Sequence, residues 1–225
     1  MFEEKGYKLI DLNLGFEDLI VKTFEECIRL NNIQRRIDIG VSLPCYGVYM
    51  EYLTAVIHRE YLTSIIEKET DLKLIPTYSY IRKYFQGSVL DYHTDRNPCE
   101  ISLSYCISGP EWEIGMGDNI VKTKIGNGVI YKGCEIPHGR SEPSSGEVIQ
   151  VFNHWVISDG VRSKSAYDDG KHKEFYRVEL DKEELELYKK KVKTMEWLWG
   201  PDETRTVLGL LKSRQEKKEN EERKR

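Results

Sequence analysis

Two stretches in the first third of the chain have apolar residues at helical spacing. In residues 17–33 and again in residues 50–70, apolar side chains recur every three or four positions, which predicts one helix in each stretch. The pair Asn31-Asn32 is a suitable end for the first helix. We expect both helices to pack on a sheet. The apolar positions are Leu19, Ile20, Phe24, Cys27 and Ile28 in the first stretch and Leu53, Ile57, Tyr61, Leu62, Ile65 and Ile66 in the second.

The pattern changes between residues 76 and 157. Short β-branched or aromatic runs alternate there with Gly, Pro, Asn and Asp, and roughly eight strand or turn segments follow one another closely. Such a series of short strands is typical of an all-β barrel or sandwich. The next stretch, residues 158–172, has the composition of a loop.

The chain returns to a helical pattern after residue 180. Asp181 is a suitable helix N-cap, with Glu184 three residues further on, and Gly200-Pro201 would end that helix. The remaining residues become wholly charged, which favours a solvated end of the chain. We therefore expect a domain at 1–180, with a β core at about 76–157 and N-terminal support helices, and a helical extension at 181–225.

Composition limits the classes of protein. The net charge is −4 and the pI is near 5.8, so a nucleic-acid partner is not expected. No apolar run is long enough for a transmembrane helix, and the acidic N-terminus lacks the apolar region of a signal peptide. Five cysteines without CxxC spacing are typical of reduced thiols in an intracellular protein, which predicts a cytoplasmic location. The oligomeric state is left open.

One candidate site joins three side chains. His93 and Asp95 are two residues apart in a predicted strand, so both project to the same face. A third ligand could come from His138, at the end of a later strand, because strands that far apart in sequence can be neighbours in a closed double-stranded barrel. Two histidines and one carboxylate form the facial triad that binds non-haem Fe(II) and leaves coordination positions open.

The order of these motifs resembles a known superfamily. Tyr84 and Gly87, then His93 and Asp95, then the distal His138 are similar to the Fe(II)/2-oxoglutarate-dependent oxygenases, most of all to their prolyl-hydroxylase-like branch. The resemblance implies an α+β protein with a mainly β core, a double-stranded β-helix (jelly-roll) barrel with flanking helices at both termini. It also implies Fe(II), 2-oxoglutarate as co-substrate, and O2.

The resemblance covers residues 76–155 and implies roles. The enzyme would hydroxylate an unactivated C–H bond while 2-oxoglutarate is decarboxylated to succinate. The phenol of Tyr84 would hydrogen-bond the co-substrate. A carboxylate at Asp95, where a small residue would vacate a position for halide, favours hydroxylation over halogenation.

The chain departs from the superfamily at one position. The C5 carboxylate of 2-oxoglutarate usually meets an Arg or Lys nine or ten residues after the distal histidine, and here Glu147 and Val148 stand there. A cation must therefore come from elsewhere. Arg140 is the first choice, and Lys132 and Arg82, both on predicted strands, are the alternatives.

Several interpretations stay open. The substrate could be a protein side chain, a free amino acid or a small metabolite. A metal- or ligand-binding barrel without turnover is the main alternative, because the usual C5 anchor is missing. A nucleobase oxygenase would need a basic groove with aromatic residues, against which the acidic pI argues, and a purely structural β domain would make the triad a coincidence. Gln150 and His154 share one strand face and could line a pocket, although His154 is equally compatible with a buried core histidine.

Overall fold

The computed structural model describes residues 2–15, 17–30, 33–38, 40–49 and 58–166. The predicted helix start at residues 50–57 and the predicted extension at 181–225 lie outside these ranges. No helix in the described part of the chain is long and apolar enough to cross a membrane.

Within these ranges three α-helices precede most of the strands. They are α1 (Phe2–Lys5), α2 (Glu17–Arg29) and α3 (Thr63–Thr70), and a π-helical turn, His58–Leu62, leads into α3. The periodicity of the first predicted helix is confirmed by α2, which buries Ile20, Phe24 and Cys27. Helix α3 forms the last part of the second predicted helix.

The β structure consists of two antiparallel sheets. The strands are β1 (Tyr7–Asp11), β2 (Arg35–Arg36), β3 (Cys45–Tyr49), β4 (Leu74–Tyr84), β5 (Leu90–His93), β6 (Ile101–Ser108), β7 (Trp112–Met116), β8 (Asn119–Thr123), β9 (Asn127–Tyr131), β10 (His138–Arg140) and β11 (Val148–Ile157). Seven form the large sheet, in the order β1-β9-β6-β11-β4-β3-β2, and four form the small sheet, in the order β5-β10-β7-β8. The predicted mainly β core is therefore confirmed.

The large sheet has one apolar and one polar face. On β6, Leu103 belongs to the main apolar core, which also contains Phe24 of α2. Because side chains alternate along a strand, Ser102, Ser104 and Cys106 project to the opposite face, where Cys106 packs with residues of the small sheet. The helices cover the apolar face, and the polar face is left to line the space between the sheets.

The large sheet extends beyond the predicted core. Strand β1 pairs with β9, and β2 and β3 continue the other edge beyond β4. None of these three strands was expected from the sequence. They are only two to five residues long. β1 and β3 pair with strands distant in the chain, and β2 is too short for a local pattern to mark it.

A glycine turn links the large sheet to the small sheet. Strand β4 ends at Tyr84 and β5 begins at Leu90, and between them Gly87 has a φ of 83°. This left-handed conformation is unfavourable for residues with a Cβ. The glycine of the Tyr84-x-x-Gly87 motif therefore has a backbone role in the turn that leads to the strand carrying His93.

Candidate metal and co-substrate site

The pairing of β5 with β10 brings the three predicted ligands together. The two strands are antiparallel neighbours, and His138 lies directly opposite His93. Asp95 follows β5 and is held by its backbone N–H, which donates to the carbonyl of Gly133 at 2.8 Å. Residues separated by more than forty positions thus meet at one edge of the small sheet.

The three side chains point their ligand atoms at one another. Oδ1 of Asp95 is 3.8 Å from Nε2 of His93 and 3.6 Å from Nε2 of His138. One ligand atom from each residue lies within 4.8 Å of the other two. The side chain of His138 is buried, whereas that of His93 is 41% exposed, so the cluster is open to solvent on one side.

Backbone carbonyls fix the orientation of both imidazoles. Nδ1 of His93 lies 2.8 Å from the carbonyl oxygen of Asp91, and Nδ1 of His138 lies 2.8 Å from that of Ile136. A carbonyl can only accept, so each Nδ1 carries the hydrogen and each Nε2 presents its lone pair to the cluster. Metal-binding histidines are commonly oriented in this way.

Asp95 is in the ionised state that a metal ligand needs. Burial raises the pKa of Asp95, but the interactions with His138 and His154 and the hydrogen bond from the Ser102 hydroxyl together bring the pKa below its usual value. The Ser102 hydroxyl donates to Oδ2 at 3.0 Å. A carboxylate and two neutral imidazoles are a suitable donor set for Fe(II).

Arg140 lies two residues beyond His138 and is fully enclosed. Its Nη1 donates to the carbonyl oxygens of Trp112, at 2.7 Å, and Glu113, at 3.1 Å, and its guanidinium lies 4.6 Å from the centre of the Trp112 ring. Its Nη2 is buried and has no hydrogen-bond partner among the described residues. Burial lowers the pKa of Arg140, yet arginine stays protonated in proteins. A buried cation with an unused donor is suited to an anionic ligand.

Tyr84 is adjacent to this cation. Its ring packs edge-on against Trp112 with the centroids 5.1 Å apart, and its hydroxyl oxygen accepts from Nη1 of Arg82 at 2.8 Å. Because a guanidinium has no acceptor, the hydrogen of the Tyr84 hydroxyl is left to donate elsewhere. The other nitrogens of Arg82 are engaged, with Nε and Nη2 3.0 and 2.9 Å from Oδ2 of Asp38.

Lys132, the third candidate for the cationic anchor, lies in a different environment from Arg140 and Arg82. Lys132 follows β9 and lies beside Gly6, and its Nζ is 3.9 Å from Oε2 of Glu135. Glu147 forms an ion pair with Lys83 at 2.9 Å, and Val148 is buried in the cluster that contains Tyr84. Of the three candidates, Arg140 is the one with a buried donor that lacks a partner in the described chain.

Two further polar residues line the space between the sheets. Nε2 of Gln150 is buried without a hydrogen-bond partner in the described ranges, beside the thiol of Cys106. Nδ1 of His154 lies 2.8 Å from Oγ of Ser102, and burial lowers the pKa of His154 to about 4. The sequence interpretation did not consider Ser102. Its signal is a serine at an inward position of a largely buried strand.

Solved structures share this architecture. The chain is similar to a prolyl-4-hydroxylase from Pseudomonas putida, with a TM-score of 0.55 and 12% identity over 69% of this chain and 95% of that one. A viral collagen prolyl hydroxylase from Paramecium Bursaria Chlorella virus-1, solved with 2-oxoglutarate, gives 0.53 and 14% over 68% and 97%. The α-ketoglutarate-dependent epimerase SnoN of nogalamycin biosynthesis gives 0.56 and 7% over 70% and 80%.

These likenesses concern the fold. Neither a protein-family model nor a curated protein matches the sequence, and the identities to the solved structures are low. The predicted resemblance to the 2-oxoglutarate-dependent oxygenases is confirmed as a shared jelly-roll fold. The roles of individual residues depend on the geometry described above.

Proposed function

We propose that this protein is an Fe(II)- and 2-oxoglutarate-dependent dioxygenase that hydroxylates an unactivated C–H bond. The observation that carries the proposal is the buried Arg140, whose Nη2 lacks a partner in the described chain, two residues from His138 on the same strand. A metal-binding barrel without turnover has no need for a buried cation at that place. A 2-oxoglutarate enzyme needs a cation for the distal carboxylate of its co-substrate, and Arg140 offers a buried donor for it.

The metal would be held by His93, Asp95 and His138. When bound, Fe(II) supplies the activation of O2 that is coupled to the decarboxylation of 2-oxoglutarate to succinate. The chain contributes two neutral imidazoles, each oriented by a backbone carbonyl, and one carboxylate. Three protein ligands leave positions for the co-substrate and O2.

The distal carboxylate of 2-oxoglutarate would pair with Arg140. Since Nη1 already donates to two carbonyl oxygens, Nη2 is the donor for the ligand, and the hydroxyl of Tyr84 adds a second hydrogen bond. Trp112, Cys106 and Val148 enclose this end in an apolar cluster. Exclusion of water strengthens a charge-assisted hydrogen bond there.

The proposal specifies the reaction type and leaves the substrate as a protein side chain, an amino acid or a small metabolite. One similar structure is a prolyl hydroxylase in complex with a hypoxia inducible factor peptide from Trichoplax adhaerens, and others come from nogalamycin biosynthesis. Both kinds of substrate are therefore compatible with this fold. The cytoplasmic location and the domain boundaries stay predictions.

A substrate-independent assay tests the proposal. The protein, loaded with Fe(II) and ascorbate, is incubated in air with 2-oxoglutarate, and succinate is measured. We expect slow succinate formation that is lost in His138→Ala and retained in Asn119→Ala, a change at an exposed position of β8. Equal succinate formation by wild type and His138→Ala would contradict the proposal.

A further inference from the structure

The two oxygens of Asp95 have different environments. Oδ1 faces the imidazoles of His93 and His138, whereas Oδ2 faces the protein and accepts from the Ser102 hydroxyl at 3.0 Å. Gly133 closes this second side, since a Cβ built there would lie only 2.5 Å from Oδ2. The carboxylate is therefore confined between a hydroxyl and a glycine backbone, with one oxygen turned to the cluster.

The Ser102 hydroxyl has several polar neighbours, among them the phenol of Tyr131, but one hydrogen. Its Oγ is 3.0 Å from Oδ2 of Asp95, 3.2 Å from the carbonyl oxygen of Cys99 and 2.8 Å from Nδ1 of His154. The carboxylate is the charged acceptor and forms the stronger hydrogen bond. With the hydrogen directed to Asp95, Oγ is an acceptor towards His154, so Nδ1 of His154 donates to it.

His154 is held firmly in this position. It is buried on the polar face of β11, opposite Ser102 in the register of β11 with β6. Its ring lies against that of Tyr78, with the centroids 4.5 Å apart. The order His154, Ser102, Asp95 is therefore a chain of donors that ends on the carboxylate.

We propose that Ser102 and His154 are positioning residues for the metal site, which hold Asp95 so that Oδ1 alone is offered to the metal. This inference rests on the proposed function. If Oδ2 is kept by Ser102, the carboxylate uses one coordination position, and the positions needed by 2-oxoglutarate and O2 stay open.

The first test measures the affinity of the metal-free full chain for Co(II) by absorption spectroscopy. We expect Ser102→Ala to bind Co(II) about ten- to a hundredfold more weakly than wild type, the usual effect of losing a hydrogen bond to a metal ligand. Ser104→Ala is the matched control, because Ser104 is buried on the same strand face and its hydroxyl reaches Gln150. Its affinity should stay within about twofold of wild type.

The second test separates hydrogen bonding from packing at His154. Leucine removes the donor, whereas the amide nitrogen of asparagine lies the same number of bonds from the backbone as Nδ1. We expect His154→Leu to weaken Co(II) binding and His154→Asn to retain most of it. In a Ser102→Ala background, His154→Leu should add no further loss, since coupled residues are not additive.

The outcomes distinguish the two proposals. Wild-type affinity in Ser102→Ala, with binding lost in His138→Ala, would overturn this inference and leave the metal site intact. Equal losses in Ser102→Ala and Ser104→Ala, with equal losses of the melting temperature of the metal-free protein, would also overturn it. A wild-type protein that binds no Co(II) or Fe(II) would overturn the proposed function together with this inference.

Discussion

The site has a metal end, formed by His93, Asp95 and His138, and an anchor end, formed by Arg140, Trp112 and Tyr84. The two ends differ in exposure and in the way their side chains are held. At the metal end, the side chain of His93 is 41% exposed, and hydrogen bonds to backbone carbonyls orient the imidazoles. At the anchor end, Arg140 is 1% exposed and packs on the ring of Trp112. The exposed metal end would give access to O2 and substrate. At the buried anchor end, the exclusion of water would strengthen the contact between Arg140 and the distal carboxylate of 2-oxoglutarate.

This difference determines which property each end controls. Changes at the metal end should affect metal binding and therefore every later step. Changes at the anchor end should affect co-substrate affinity while the metal still binds. The four predictions below test this division, from the largest expected effect to the smallest.

Removal of one imidazole should have the largest effect. In His138→Ala, the remaining His93 and Asp95 offer two ligands, so we expect loss of Fe(II) binding in equilibrium dialysis. The melting temperature of the metal-free variant should stay close to that of wild type. Retention of wild-type iron affinity would contradict the assignment of the metal end.

His154, which lies behind the metal end, should make the stability of the fold depend on pH. His154 has its pKa lowered to about 4 by burial, whereas an unfolded histidine titrates near 6.5. The unfolded chain therefore binds the extra proton as the pH falls from about 6.5 to 4, and the free energy of unfolding falls by about 3 kcal/mol. Stability from this residue is present above pH 6.5 and lost towards pH 4.

Urea unfolding of the metal-free protein measures this effect. Carboxylates titrate over the same range, so His154→Asn is the reference, and the difference between the two pH profiles isolates the histidine. Parallel profiles for wild type and His154→Asn would mean that His154 is solvated, and the metal end would then be open on both sides.

Loss of the buried cation should weaken the co-substrate alone. A hydrogen bond to a charged group contributes about 1.5–3 kcal/mol, so Arg140→Met should reduce 2-oxoglutarate affinity about ten- to a hundredfold, with Fe(II) affinity unchanged. Isothermal titration under argon gives both values when Fe(II) is added first to the metal-free protein and 2-oxoglutarate is then added to the Fe(II)-loaded protein. Lys132→Met is the control and should bind like wild type; the reverse result would move the anchor to Lys132.

Removal of the phenol should have the smallest effect. Tyr84→Phe deletes one hydrogen bond from an uncharged donor to the carboxylate, while the guanidinium of Arg140 remains; at the lower limit of about 1.5 kcal/mol for a charged acceptor, 2-oxoglutarate affinity should fall about tenfold. The same titration measures it. A loss larger than that of Arg140→Met would show that Tyr84, and not the guanidinium, dominates the anchor end.

The sequence reveals the two ends unequally. The metal end was accessible because the two-residue spacing of His93 and Asp95 predicted that both project the same way, and the short strands between them and His138 predict a closed β fold. In the structure β5 ends at His93 and Asp95 follows it, so the two side chains meet without sharing a strand. At the anchor end, the superfamily's usual cation is missing, and the sequence could rank Arg140, Lys132 and Arg82 only by position. Burial and the pairing of Arg82 with Asp38 are tertiary properties, so only the structure separates the candidates.

The same limit applies to the short strands and to Ser102. Strand β1 is recognised by its pairing with β9, a contact over more than a hundred residues. A serine in a strand is unremarkable until the register of β6 and β11 sets it opposite His154. Long-range register is the information that a single sequence does not carry.

The most direct measurement is an anaerobic titration of the metal-free protein with Fe(II) and then with 2-oxoglutarate, followed by visible absorption. The account predicts a weak metal-to-ligand charge-transfer band in wild type that is absent in His138→Ala and needs more 2-oxoglutarate in Arg140→Met. Iron binding without a band at saturating 2-oxoglutarate would contradict it and would identify a metal-binding barrel with a different ligand.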